Sequence, residues 1–227
     1  MATVLLIRHA ESTANKAGEL AGRTPGVDLT PDGAEQARRL GLRLRQVRPV
    51  RIVHSPLDRC VQTLRKIREA MDGAPMPDGL PDDALNEVDY GGWQGKKLAD
   101  LAGQPEWKTI QNTPSAVRFP GGESIAEMSA RAVAAVRGHD AEVEADAGND
   151  AVWMVIAHGD IIKAVLADAL GMPLDLFQRL VVSPCSLSAI RYTSDRPFLL
   201  ALGAHADRLV RLPEADKAAE GVVGGGD

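Results

Sequence analysis

Two apolar runs, Val4-Leu5-Leu6-Ile7 near the start of the chain and Val152-Trp153-Met154-Val155-Ile156-Ala157 far downstream, each end on a histidine. The first passes into Arg8-His9 and the second into His158-Gly159. A buried strand that ends on polar side chains places them outside its carboxyl end, where open α/β sheets bind ligands. A third run, Val50-Arg51-Ile52-Val53-His54, leads into Ser55-Pro56-Leu57-Asp58-Arg59. Three strand ends therefore offer two arginines and two histidines to one place. Arginine reads phosphate or carboxylate with a fork of donors, and histidine serves as nucleophile or proton carrier near neutral pH. The constellation suits an oxyanion.

Strand and helix signals alternate along the rest of the chain, which predicts an α/β layered fold with a mostly parallel central sheet. Thr30 is placed to cap a helix that starts with Pro31 and buries Ala37, Leu40, Leu44 and Val47. Ser55 is read as the cap of the next helix, with Asp58 at capping-box spacing and Arg59 one turn in. Residues 72–84 read as a loop. Residues 91–122 are Gly- and Pro-rich without clean periodicity, but Trp93, Trp107, Ile110, Val117 and Phe119 make them a packed lid rather than disordered chain. Ser124 and Glu127 open a long helix with Ile125, Met128, Ala132 and Val136 on its buried stripe. A further helix is expected over 160–170, then strands over 186–192 and 197–202. No internal repeat is present and the motifs of one site come from both halves. We therefore expect one domain over residues 1–206 and a loosely ordered, Ala- and Gly-rich tail over 207–227.

Bulk properties exclude some partners. A net charge of −5 and a pI near 5.6 argue against general affinity for nucleic acid or an anionic membrane. An acidic chain that handles an anion must focus positive charge locally, as Arg8 and Arg59 would. The two cysteines, Cys60 and Cys185, have no zinc-type spacing and read as buried thiols. The first apolar run is too short for an export signal or a membrane span, so the expected location is the cytoplasm.

Arg8-His9-Ala10-Glu11-Ser12-Thr13-Ala14-Asn15 resembles the opening signature of the histidine phosphatase superfamily, also called phosphoglycerate mutase-like. Later blocks match in order: Leu29-Thr30 with Gly33 and Gln36-Ala37, then Ser55-Pro56-Leu57 and Arg59 with Gln62-Thr63. Leu85-Asn86-Glu87 with Tyr90-Gly91, Gly121-Gly122-Glu123-Ser124 and Ala157-His158-Gly159-Asp160 follow. Each motif alone is weak; six in order are strong. The resemblance implies a three-layer sandwich with helices on both faces of the sheet. It implies His9 as the nucleophile that forms a phosphohistidine, Arg8 and Arg59 as phosphate ligands, and His158 as a donor to a phosphoryl oxygen. Glu87 would supply the proton that a poor alkoxide leaving group needs, and Asn15 and Gly159 would add phosphate contacts. Ala10 stands where the superfamily more often has Gly, which adds a methyl beside the phosphate cradle. No cofactor or metal is implied, since arginines beside the histidines would repel a cation.

Three functions compete on these residues: a phosphatase of a small phosphorylated metabolite, a cofactor-dependent phosphoglycerate mutase, and a non-catalytic binding module. Retention of both histidines, both arginines and Glu87 disfavours the last. The adjacent arginine pair typical of glycolytic mutases is replaced by Trp107-Lys108-Thr109, and their longer insertion is absent, which favours phosphatase. Lys96, Lys97, Lys108 and Arg118 remain as candidate contacts for an acidic substrate.

Overall fold

The computed structural model describes residues 2–71 and 75–205. A six-stranded sheet runs through the centre in the order β3-β2-β4-β1-β5-β6, with β1 at Thr3–Arg8, β2 at Arg51–His54, β3 at Gly79–Pro81 and β4 at Val152–Ala157. Strands β5 (Leu187–Arg191) and β6 (Phe198–Ala204) are antiparallel additions, whereas β1, β2, β3 and β4 are mutually parallel. The apolar runs are continuous because both faces are covered. Leu5, Ile7, Ile52, Met154 and Ile156 pack toward α2 (Pro31–Arg43) and α3 (Asp58–Ala70). Val4, Leu6, Val53, Trp153 and Val155 pack toward α6 (Ile125–Ala147) and α7 (Gly159–Ala169) on the other side. The expected three-layer α/β sandwich is the observed architecture.

Strand order explains where a site can form. β1 sends the chain through α1 (Thr13–Ala17) and α2 to β2, whereas its neighbour β4 sends the chain through α7 to β5 on the opposite side. The two connections part at the adjoining carboxyl ends of β1 and β4, which opens a crevice there. Register then decides the rest: Arg8 pairs with Ala157, so His9 and His158 follow side by side.

Helix α2 has the expected Thr30 cap on Gly33, and α6 has the expected reciprocal box between Ser124 and Glu127. Helix α3 departs from expectation. It begins at Asp58 with Leu57 at its cap position and no side-chain cap, so Arg59 is its second residue and not a turn further in. Ser55 does not cap because the helix begins three residues after it; its hydroxyl accepts from Leu57 N–H at 3.4 Å and lies against His158 Nε2 and Asn86 Oδ1. Residues 72–84 are also not all loop, since β3 forms there as an edge strand.

The segment 91–122 folds more regularly than its sequence suggests, with short helices α4 (Leu98–Leu101) and α5 (Pro105–Asn112). Trp93, Ile110, Val117 and Phe119 are buried in the α6–α7 core, and Trp107 stacks on Trp93 at 6.5 Å. It forms a wall, not an open flap. Its backbone grips the neighbouring loop through Leu20 N–H to Lys96 O and Gly95 N–H to Leu20 O. The expected tail at 207–227 lies outside the described residues. Among the described residues, no helix is long and apolar enough to cross a membrane.

Candidate active site

A narrow cleft opens at the carboxyl ends of β1 and β4, lined by His9, Ser12, Asn15, Arg59, Glu87, Tyr90 and the loop at 19–22. His9 is fixed before any ligand arrives. Its N–H donates to Ala157 O at 2.9 Å and its carbonyl accepts from Cys185 N–H at 3.0 Å. Ring atom Nδ1 lies 2.8 Å from Ala10 O, and a carbonyl can only accept, so Nδ1 carries the hydrogen and Nε2 keeps its lone pair. Burial first, then the charges of Arg59 and Arg8, hold the imidazole well below its usual pKa. At neutral pH it is an uncharged base with one open nitrogen.

Both expected arginines are buried, at 1% exposed for Arg8 and 2% for Arg59. Each is aimed by a backbone carbonyl: Arg8 Nη1 donates to Val182 O at 2.8 Å, and Arg59 Nη2 donates to Gly22 O at 2.7 Å. Thr63 ties these elements together, since its hydroxyl donates to Arg59 O and accepts from Ala10 N–H. The Ala10 methyl packs into the α2–α3 core, so the extra carbon does not crowd the cleft.

His158 has no exposed surface, and its ring stands edge-on to His9 with centroids 5.2 Å apart. Its Nε2 is 2.8 Å from Ser55 Oγ, which also reaches Asn86 Oδ1 at 3.1 Å. Burial and the nearby Arg59 keep this imidazole neutral too. When the Ser55 hydroxyl points to Asn86, His158 donates from Nε2; when it turns, Ser55 donates and the hydrogen moves to Nδ1. The pair thus has two arrangements of its protons. Gly159 follows as the first residue of α7, whose amino end supplies positive potential beside His158.

Glu87 is buried in the cleft wall, with Oε1 accepting from Val88 N–H at 3.0 Å. Burial, followed by repulsion from Asp160, raises its pKa to about 7, against the opposing pull of Arg59 and Arg8. The neighbouring Asp89, which sequence alone leaves as a credible substitute for Glu87, does not line the cleft and accepts from Gly91 N–H. Asn15 reaches the cleft, but its Oδ1 is held by Ser12 N–H and the Ser12 hydroxyl, so any ligand contact falls to its Nδ2.

Three residues with no expected role hold the Glu87 loop in place. Arg131 donates to the carbonyls of Ala84, Asn86 and Glu87 and to both oxygens of Glu123. Arg23 donates to Glu87 O and Glu123 Oε1, joining the cleft loop to the same hub. The strands of chain at 89–92 and 120–123 interlock so closely that a Cβ on Gly122 would stand 2.1 Å from Asp89 O. Gly122→Ala is therefore expected to cost ~1–3 kcal/mol, read as a lowered thermal midpoint, because backbone must move to admit the methyl.

The model of the histidine phosphatase superfamily (branch 1) matches residues 4–205. The chain belongs to this superfamily. A probable phosphoglycerate mutase GpmB from Yersinia pestis is 31% identical over 201 residues, covering 88% of each chain. The solved structure of Bacillus stearothermophilus YhfR is 24% identical with a TM-score of 0.79, covering 91% of this chain and all of that one. A mycobacterial glucosyl-3-phosphoglycerate phosphatase, solved with VO3, is 25% identical with a TM-score of 0.75 and covers 89% of this chain and 98% of its own.

Of the residues that the resemblance singled out, His9, Asn15, Arg59 and Glu87 line the cleft, while Arg8 at the end of β1 and His158 and Gly159 after β4 lie beside His9 without lining it. The other histidines lie elsewhere: His54 Nδ1 bonds Ser55 O, His139 pairs with Asp82, and His205 O accepts from Arg43. Sequence reading missed the roles of Ser55, Thr63, Tyr90, Glu123 and Asp160, although each lies inside a matching motif. Their motif membership was the available signal. Among the described residues, no group of three His, Cys, Asp or Glu side chains is placed to hold a metal ion.

Proposed function

We propose that the protein is a metal-independent phosphatase that hydrolyses a small phosphomonoester through a phosphohistidine on His9. The observation that carries this reading is the His9 tautomer: Nδ1 is committed to Ala10 O, and the Nε2 lone pair shares a cleft with Arg59 and Glu87. Nε2 attacks phosphorus, the P–O ester bond breaks, and the leaving alkoxide takes the Glu87 proton. Glu87, now a carboxylate, removes a proton from water; the water oxygen attacks phosphorus, the P–N bond breaks, and His9 is restored. Arg8 and Arg59 hold the phosphoryl oxygens with charge-assisted bonds. His158 joins them from Nδ1 once the Ser55 hydroxyl turns toward Nε2. Two guanidinium groups flanking the nucleophile make the cleft hostile to a divalent cation, which supports a reaction without one. Free, buried Cys60 and Cys185 agree with a reducing compartment, the cytoplasm.

The mutase reading draws on the Yersinia relative's name and uses the same intermediate. Against it stands the charge on the cleft wall. Among the described residues lining the cleft, Arg59 is the one Lys or Arg, and Glu19 faces the mouth. Of the cations considered from sequence, Lys97 stands beside the cleft but pairs with its Glu19, Arg118 pairs with Glu127, and Lys96 and Lys108 are exposed and do not line the cleft. A displaced phosphoglycerate, with its carboxylate and second phosphate, finds little there to hold it for re-phosphorylation. The mycobacterial neighbour named as a phosphatase supports hydrolysis. The test is the ratio of inorganic phosphate to 2-phosphoglycerate from 3-phosphoglycerate with catalytic bisphosphoglycerate, beside a panel of other monoesters. Phosphate release on some panel member should exceed the mutase rate at least about tenfold, a barrier difference of ~1.4 kcal/mol. Rapid isomerisation with almost no phosphate would refute hydrolysis.

A further inference from the structure

Asp160 is a buried carboxylate that the proposed chemistry does not use. It is the second residue of α7, two positions past His158, and has no exposed surface. A carboxylate taken out of water is costly unless donors and opposite charge surround it. Here the Tyr90 hydroxyl donates to Oδ2 at 2.8 Å, and Lys163 Nζ stands 3.7 Å from Oδ1. Lys163 is itself buried; it donates to Gln178 Oε1 at 2.9 Å and lies 6.0 Å from the centre of the Phe177 ring. Apolar residues of similar volume often replace such a pair with no loss of stability. A charge kept in this place points to a task, and its partner Tyr90 lines the cleft together with Glu87.

We propose that Asp160 is a positioning residue for the acid–base step: a fixed negative charge behind Tyr90 that keeps the proton on Glu87 until the leaving group takes it. The inference rests on the reading of Glu87 as the acid. Arg59 from α3, Arg8 from β1, the Val88 N–H and Lys163 from α7 all favour the Glu87 carboxylate, while burial and, after it, Asp160 from α7 oppose them. Removing the Asp160 charge shifts that balance toward the arginines, so Glu87 gives up its proton at a lower pH and more of the enzyme meets the ester without its acid. After the proton has gone, Glu87 is an anion beside Asp160. The same repulsion then drives it to recover a proton from the water that opens phospho-His9. Tyr90 holds the charge in place: burial and Asp160 keep its phenol protonated, so the hydrogen bond to Oδ2 persists through the cycle.

The test compares kcat/KM against pH for an alkyl phosphate, whose leaving group needs a proton, and p-nitrophenyl phosphate, whose leaving group does not. Wild type, Glu87→Gln, Asp160→Asn and Lys163→Gln are measured. Lys163→Gln removes the positive charge that offsets Asp160, so its limb should move toward alkali, and the test survives if Asp160→Asn unfolds the protein. For Asp160→Asn, the alkaline limb for the alkyl ester is expected to move toward acid by about one pH unit. That is about a tenfold loss on the limb, with a smaller loss for the nitrophenyl ester. Unmoved limbs in both variants, with equal losses on both esters, would overturn the inference. If Glu87→Gln also fails to discriminate the esters, the acid assignment itself has failed. If Glu87→Gln discriminates and neither charge variant moves the limb, the failure is that of Asp160 alone.

Discussion

His9→Ala is expected to lower kcat/KM by at least about 10⁴-fold, because residues that act as a unit in covalent catalysis lose nearly everything when the nucleophile goes. Rapid quench with labelled substrate should trap an acid-labile, base-stable phosphoryl adduct on the wild-type protein and none on the variant. The fold should tolerate the change. His9 touches its surroundings chiefly through backbone bonds to Ala157 and Cys185, which alanine keeps. Turnover by wild type with no trappable adduct would refute the covalent path.

Arg59→Ala carries the second-largest expected effect, a loss of ~3 kcal/mol in transition-state stabilisation, as when one oxyanion donor is removed. Arg59→Lys should recover only part of it, since an ammonium supplies a point charge without the planar fork. The change also removes the tether to Gly22 O, which positions one wall of the cleft. An independent readout is available in the unliganded protein. Arg8 and Arg59 are buried close enough to lower both histidine pKa values, so a bound anion relieves their mutual repulsion. Phosphate or vanadate at a hundredfold excess over Kd should stabilise wild type by about 2.7 kcal/mol, read from the thermal midpoint. At the same anion concentration Arg59→Ala should gain much less. Equal gains would show that the anion binds elsewhere.

The strands that end on Arg8-His9 and His158, the caps of α2 and α6, and the motif positions of both arginines and Glu87 can all be read from the amino-acid sequence. These were legible because they depend on local chemistry: uninterrupted apolar runs, capping spacings and ordered motifs. The tertiary structure alone decided the proton positions and the electrostatics. Nothing local to Ser55 says that its hydroxyl serves His158, 103 residues away, and not the helix beside it. Glu87 holds the better motif position, but Asp89 stays a credible substitute on paper until Arg131, Glu123 and Arg23 fold the loop and leave Glu87 in the cleft wall. Asp160 looks like an ordinary first-turn acid until α7 is buried along its length and sets that charge behind Tyr90. Desolvation and Coulomb repulsion act through space, so the roles they create depend on which residues the sheet order and strand register bring together, and those contacts are not written in the spacing of any one motif.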